Sequence, residues 1–216
     1  MRFIEKREEP SELADWKALA NENWTPVWSD FRDPQKAATH RSLIEEQHHI
    51  CCYCGRRIAS SDSHIEHLQP RSDTGEDLKL SYANMLASCM RQQEKKVPLH
   101  CGAAKGDWFD KNMVHPLKRN CESRLRYTAD GGVSAFNNDD EAASNTVDQL
   151  KLNIPKLQRE RKAVIDVFLL PFLDGELTEE DVSRIIAVHQ APNKQNYLPA
   201  YGFAVAQVLS EFVSSD

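Results

Sequence analysis

Cys51-Cys52-Tyr53-Cys54-Gly55, His64-Ile65-Glu66-His67-Leu68-Gln69-Pro70, Asn84-Met85-Leu86-Ala87-Ser88-Cys89 and His100-Cys101-Gly102-Ala103-Ala104-Lys105 are four blocks of one stretch, residues 51–105, whose reading decides the fold. Five of the six cysteines and three of the eight histidines fall within it. Such crowding of scarce residue types needs a chemical cause. Cys51 and Cys54 form a C-x2-C pair followed by Gly55, which suits a tight knuckle presenting two thiolates to one ion. Cys89 and Cys101 can supply the other two ligands of a closed tetrahedron, the usual form of a structural zinc site. Their C-x11-C spacing is wider than zinc sites favour. Cys52, beside a ligand, should point the other way. The competing reading is a set of buried thiols or a disulfide; the preference of intracellular chains for metal over disulfide stands against it.

Inside this frame, strand alternation puts His64 and Glu66 on one face and Ile65 and His67 on the other. Pro70 then stops the strand. Glu66 is a hard oxygen ligand for Mg2+ or a similar cation. His67 is a base that titrates near neutral pH. Asn84 is positioned to orient the His67 ring. A pair of structural polar residues on a strand is the bland alternative.

Cys51-x2-Cys54, Ile65-Glu66-His67-x2-Pro70, Asn84-x4-Cys89 and Cys101-x3-Lys105-Gly106 together resemble the zinc-framed HNH endonucleases. The chain is more specifically similar to the HNH component of retron and Septu-type anti-phage systems. The motifs cover roughly residues 45–110, with a looser likeness in Met1-Arg2-Phe3-Ile4 and Leu150-Lys151-Leu152-Asn153. The resemblance implies a ββα-metal nuclease of treble-clef type, with His67, Glu66 and Asn84 catalytic. It implies structural Zn2+ at Cys51, Cys54, Cys89 and Cys101, and a catalytic Mg2+ or Mn2+ at Glu66. It also implies an ABC-type ATPase partner, with a retron reverse transcriptase and its DNA as further partners. Such nucleases usually carry Asn or His just after the last zinc cysteine, as a second protein ligand of the catalytic ion. Here that residue is Gly102, so Asp107 becomes the substitute ligand, with His100 as the other option.

The chain of 216 residues, 40% hydrophobic and 28% charged, has the composition of an ordinary globular protein. No apolar run approaches the ~20 residues that span a bilayer. Met1-Arg2-Phe3-Ile4-Glu5-Lys6 lacks the apolar core of a signal peptide, so a cytoplasmic location is expected. The net charge of −6 disfavours unaided nucleic-acid binding. Residues 51–120 nevertheless hold 11 Lys and Arg against 8 Asp and Glu, while the remainder holds 16 against 25. The motif region is thus the basic part. Arg71 and Lys105 are its phosphate-contact candidates, beside a patch of Arg91, Lys95 and Lys96.

Outside the motifs the chain reads as helix. Ser11 starts a helix through Leu13, Trp16 and Leu19. Asp33-Pro34 opens a second, with Asp as cap and Pro at the first position. Arg56–Ile58 and His64–His67 read as a short hairpin, Asn84–Ser88 as the second strand of a ββα unit, and residues 102–111 as its helix. Trp24 and Trp28 are expected in the core. Asp130-Gly131-Gly132 marks a hairpin between Arg124–Thr128 and Val133–Phe136. Helices follow from Ala142, one with Leu157, Val164, Ile165, Phe168 and Leu169 inward and Arg159, Arg161 and Lys162 on its exposed face. Another carries Val182, Ile185, Ile186 and Val188, and a last apolar helix docks from Tyr201 to Val213. The fold class expected is α+β, a zinc-framed ββα-metal unit within a mostly α-helical domain. Its segments are 1–49 (helical), 50–120 (nuclease core) and 121–216 (hairpin and helices packed with the rest).

The function expected is metal-dependent hydrolysis of phosphodiester bonds in DNA, or RNA, as effector of an anti-phage system. The first alternative is a non-catalytic zinc adaptor that regulates the ATPase, favoured by Gly102. The second is a zinc-stabilised DNA-binding protein without chemistry.

Overall fold

Alternation in the acid–base block is realised as β1 (Ser63–His67), which pairs antiparallel with β2 (Met85–Cys89). The computed structural model describes residues 1–90, 92 and 95–213; Arg91 of the expected basic patch lies outside them. The register sets Ser63 opposite Cys89 and His67 opposite Met85. β2 is buried throughout, which its run of apolar and small residues dictates. The hairpin expected between Arg56–Ile58 and His64–His67 does not form. Arg57 instead makes an isolated bridge with Ile50, and β1 takes the more apolar β2 as its partner.

Helices close around this pair. α1 (Ser11–Ala18) buries Leu13 but ends before Leu19, which is 64% exposed rather than inward. α2 (Gln35–Glu46) begins one residue later than the Asp33 cap predicts, with Pro34 flanking it and no side-chain cap. Its C-terminal end is stitched to β2 through Gln47: the amide donates to Ala87 O at 2.8 Å and accepts from Ala87 N at 2.7 Å. Buried Glu46 receives Lys6. α3 (Glu76–Lys79) is a single turn in the loop between the strands.

After the last cysteine, α4 spans only Gly102–Lys105, not the longer helix expected to residue 111. Gly106 follows at φ +51°, a conformation that breaks the helix and that glycine accepts at little cost.

The Asp-Gly-Gly turn joins β3 (Leu125–Tyr127) to β4 (Val133–Ala135) as the turn residues predict. α5 (Glu141–Gln149) starts on an Asp140 side-chain cap to Ala143 N. α6 (Pro155–Leu173) buries Leu157, Ile165 and Leu169. It also buries Arg161, against the expectation of an exposed face. That guanidinium donates to Gly131 O (2.6 Å), Leu152 O (2.8 Å) and Asn153 Oδ1 (3.3 Å), carbonyl acceptors left by two turns. α7 (Glu179–Gln190) has a capping box of Thr178 and Asp181, though its Val188 is 63% exposed. α8 (Gly202–Val213) buries Ala204, Val205, Ala206, Val208 and Leu209 against α7, α6 and β3, as its apolar stripe predicts. Leu43, Tyr53, Met85, Leu125, Leu157 and Leu209 belong to one buried cluster, so residues from all three sequence segments share a core.

Candidate functional site

The knuckle forms for reasons local to Cys51–Gly55. Cys51 N donates to Arg56 O at 2.8 Å and Gly55 N to Cys51 O at 3.0 Å, with Gly55 at φ +77°. Cys52 N donates to Ala87 O at 3.2 Å, docking the knuckle on β2. Cys89 arrives from the end of β2. Cys101, at φ +55° and with its N–H on Leu150 O at 2.8 Å, arrives from the start of α4. Their four buried sulfurs lie within 4.8 Å of one another. Cys54 and Cys89 sulfurs are 3.9 Å apart. A tetrahedral zinc with ~2.3 Å bonds requires sulfurs about 3.8 Å apart, so the donor set and its spacing fit zinc. Burial opposes a thiolate at Cys51, yet hydrogen bonds from Cys101, Cys52, Cys54 and Cys89 hold it well below the ordinary thiol range. Cys89 N–H at 3.4 Å from the Cys51 sulfur adds a donor to that charge. Cys121 is buried elsewhere and takes no part.

Glu66 leaves β1 toward the knuckle and is 7% exposed. Its Oε1 accepts from Tyr53 OH at 3.2 Å and faces Lys105 Nζ at 3.1 Å. Lys105, 3% exposed, also donates to His67 O (2.9 Å) and Gly106 O (3.3 Å). A phosphate-contact candidate thus turns inward, as the counter-ion of Glu66. On the other oxygen, Oε2 lies 3.6 Å from His64 Nε2.

His67 points to the opposite face. Its Nε2 is 2.9 Å from Lys79 O, and its ring meets the Trp28 ring edge-on at 4.5 Å. A carbonyl only accepts, so Nε2 carries the proton and Nδ1 holds the free lone pair. Among the described residues no hydrogen bond engages Nδ1, nor is it one of the enclosed orphan atoms. Desolvation is the largest influence lowering this imidazole below its ordinary value, so it is neutral at pH 7.

Asn84 does not reach the imidazole. Its carbonyl accepts from Gln69 N (2.9 Å), and its amide donates to Gln69 O (3.0 Å) and Leu78 O (3.2 Å). It fixes the turn after β1 and the loop that supplies Lys79. Asp107 is exposed beyond the end of α4, and no contact joins it to Glu66. His100 is fully buried, with Nδ1 3.2 Å from Pro98 O. Arg71 is exposed, its guanidinium 5.0 Å above the Trp28 ring. Trp28, expected as core, is half-buried, and its ring contacts both that cation and the His67 ring.

Tyr53, Lys79 and Trp28 were not legible as site residues. Tyr53 carried one signal, an aromatic hydroxyl inside the Cys51-x2-Cys54 pair. Lys79 contributes a backbone carbonyl, for which no sequence signal exists. A groove of about 790 Å3 runs beside His64 and Ile65, with Arg32, Lys36 and Arg41 among its walls and Asp33 its acidic member.

Fold and site define a protein with a buried four-cysteine cluster that could hold a metal ion, and a carboxylate and an imidazole at the end of one strand. A protein of Vibrio cholerae serotype O1 biovar El Tor, named provisionally as the HNH endonuclease of retron Vc95, is 30% identical over 166 residues. The match covers 73% of this chain and 78% of that protein. No protein-family profile matches. The chain belongs to the retron HNH endonuclease family. Among the described residues, no helix is long and apolar enough to cross a membrane.

Proposed function

We propose that this protein hydrolyses phosphodiester bonds in DNA as the effector nuclease of a retron-type anti-phage system, working with an ATPase partner. β1, β2 and the one-turn α4 serve as the ββα-metal unit, and structural zinc at the four cysteines holds them together. The observation that carries the reading is the His67 tautomer. With Nε2–H tied to Lys79 O, Nδ1 is held unprotonated and ready to take a proton from water attacking phosphorus. Trp28 limits ring rotation from one side. Asn84 acts at one remove, by fixing the backbone that pins the ring.

A divalent cation at Glu66 would neutralise charge on the scissile phosphate and its leaving oxygen. Glu66 fits such a role through Oε2, since Oε1 is already engaged. The Arg32, Lys36 and Arg41 groove and Arg71 give a locally basic approach for a phosphate backbone, in keeping with weak intrinsic binding by an acidic chain. Purified zinc-loaded protein should nick plasmid DNA with Mn2+ or Mg2+, with or without the ATPase. His67→Ala should abolish nicking and leave the zinc content intact; retained nicking refutes the role.

A second reading has its own support. Lys105 neutralises the one carboxylate available to an ion, and His67 is only 6% exposed. Both suit a zinc-bound adaptor that regulates the ATPase. That reading predicts no cleavage in any metal and a change in ATPase activity on adding this protein.

A further inference from the structure

We propose that the ion of this site is held by His64 together with Glu66, that His64 replaces the ligand missing at position 102, and that the pair selects first-row transition ions over Mg2+. This deepens the nuclease reading and rests on it.

His64 and Glu66 share a face of β1, and their Nε2 and Oε2 atoms are 3.6 Å apart. That is long for a hydrogen bond. It suits two donors on one ion: at bonds of ~2.1 Å and angles of roughly 90–120°, two ligands sit about 3.0–3.6 Å apart. Among the described residues the imidazole makes no hydrogen bond. Nδ1 is enclosed without a hydrogen-bond partner, and Nε2 faces the Glu66 carboxylate beside Gly102. Of the two Glu66 oxygens, Oε1 is occupied by Tyr53 and Lys105, which leaves Oε2 for the ion.

Gly102 explains why the usual ligand is absent. A Cβ there would lie 2.5 Å from Glu66 Oε2, 2.8 Å from its carboxyl carbon and 3.0 Å from His64 Nε2. The backbone has little freedom to retreat, because Gly102 N–H is held by Ser88 Oγ at 3.1 Å. Position 102 therefore has no room for Asn or His while Glu66 and His64 stay where they are. The space that a side chain from α4 would fill is taken first by the Glu66 carboxylate and then by the His64 imidazole, both from β1.

The preference among ions follows from charge and donor type. Lys105, 3.1 Å from Oε1, offsets much of the carboxylate's negative charge. Mg2+ relies on charge and oxygen donors and gains little from one neutralised carboxylate. A nitrogen donor favours Co2+, Ni2+ or Zn2+ most and Mn2+, the weakest of that series, to a smaller degree, each over Mg2+.

The test uses the full chain with its four-cysteine site preloaded with zinc and no nucleic acid present. Mn2+ is titrated and free Mn2+ is read by electron paramagnetic resonance, with Mg2+ as competitor. Wild type should bind one Mn2+ per chain, and a tenfold excess of Mg2+ should not displace it. His64→Ala should weaken Mn2+ by at least about tenfold, the scale seen when metal-site partners are removed. Gly102→Ala should do the same by occluding the pair, and Asp107→Asn should change nothing. Zinc content and circular dichroism identify any variant that fails to fold; His64→Gln, nearer in size, then repeats the measurement. The proposal is overturned if His64→Ala keeps its affinity, if Asp107→Asn loses it, if Mg2+ competes equally, or if no second ion binds and the pair is only an imidazolium–carboxylate contact. Mn2+ loss in His64→Ala without cleavage by wild type supports this site and sinks the nuclease. Cleavage by wild type with Mn2+ affinity unchanged in His64→Ala does the reverse.

Discussion

Lys105 and Glu66 form the most enclosed ion pair near the site, and separating them gives a quantitative test of how the site is built. Lys105 Nζ is 3.1 Å from Glu66 Oε1, with the two side chains 1% and 8% exposed. At an effective dielectric constant of about 20, unit charges at that distance attract by roughly 5 kcal/mol. Desolvation offsets part of this, and removing one partner of a buried pair is destabilising by about 3–5 kcal/mol. Lys105→Met keeps the length and removes the charge, leaving Glu66 with only the Tyr53 hydroxyl on Oε1. Glu66→Gln leaves the ammonium with the carbonyls of His67 and Gly106. Each single variant should lose about 3 kcal/mol. The double variant should lose less than their sum by about 2 kcal/mol or more, because the second change removes the stranded charge. The assay is urea unfolding of zinc-loaded protein followed by tryptophan fluorescence. A coupling within ~0.5 kcal/mol of zero, the scale of an exposed pair, would show that the two charges are solvated and that Glu66 stays fully available to an ion.

Four further outcomes are expected. Cys89→Ser should lower zinc below one ion per chain and broaden the thermal transition; full zinc retention would place the ion elsewhere. Gly131→Ala should destabilise by about 2 kcal/mol or more, since Gly131 sits at φ +83° and a Cβ would lie 2.1 Å from Gln158 O; an unchanged melting temperature would refute that backbone. Arg161→Met should lose about 3 kcal/mol by leaving Gly131 O and Leu152 O without the guanidinium donor, Asn153 Oδ1 keeping Val133 N–H, read by the same urea assay. His115 is pushed down from 6.5 to about 4, chiefly by burial and then by Lys118 and Arg124. It is therefore neutral when folded, and the unfolded chain gains the proton first. Its contribution is complete above about pH 6.5 and is lost as pH falls toward about 4. Melting temperatures of His115→Gln should fall less over that window than those of wild type; parallel curves would exclude His115 as a source.

Residue type and spacing carried the four thiolates. Cysteine is scarce and zinc geometry demanding, so Cys51, Cys54, Cys89 and Cys101 were legible as a set before any coordinates. Alternation likewise placed His64 with Glu66 and apart from His67, and Asp130-Gly131-Gly132 announced its hairpin. Asn84–Ser88 was legible as the second strand of the unit, but the exclusion of residues 56–58 from the pairing was not. β1 took β2 and not residues 56–58, because strand pairing is settled by which apolar surfaces can be buried together. α4 stopped at Lys105, Asp107 turned outward, and Lys105 turned in to meet Glu66. Arg161 looked like surface until two turns brought it carbonyl oxygens. The atom that fixes the His67 tautomer is the carbonyl of Lys79, a group every residue possesses. Side-chain chemistry is local and shows in the sequence. The supply of backbone acceptors and the neutralisation of buried charge depend on what lies across the fold, and only the tertiary structure decides them.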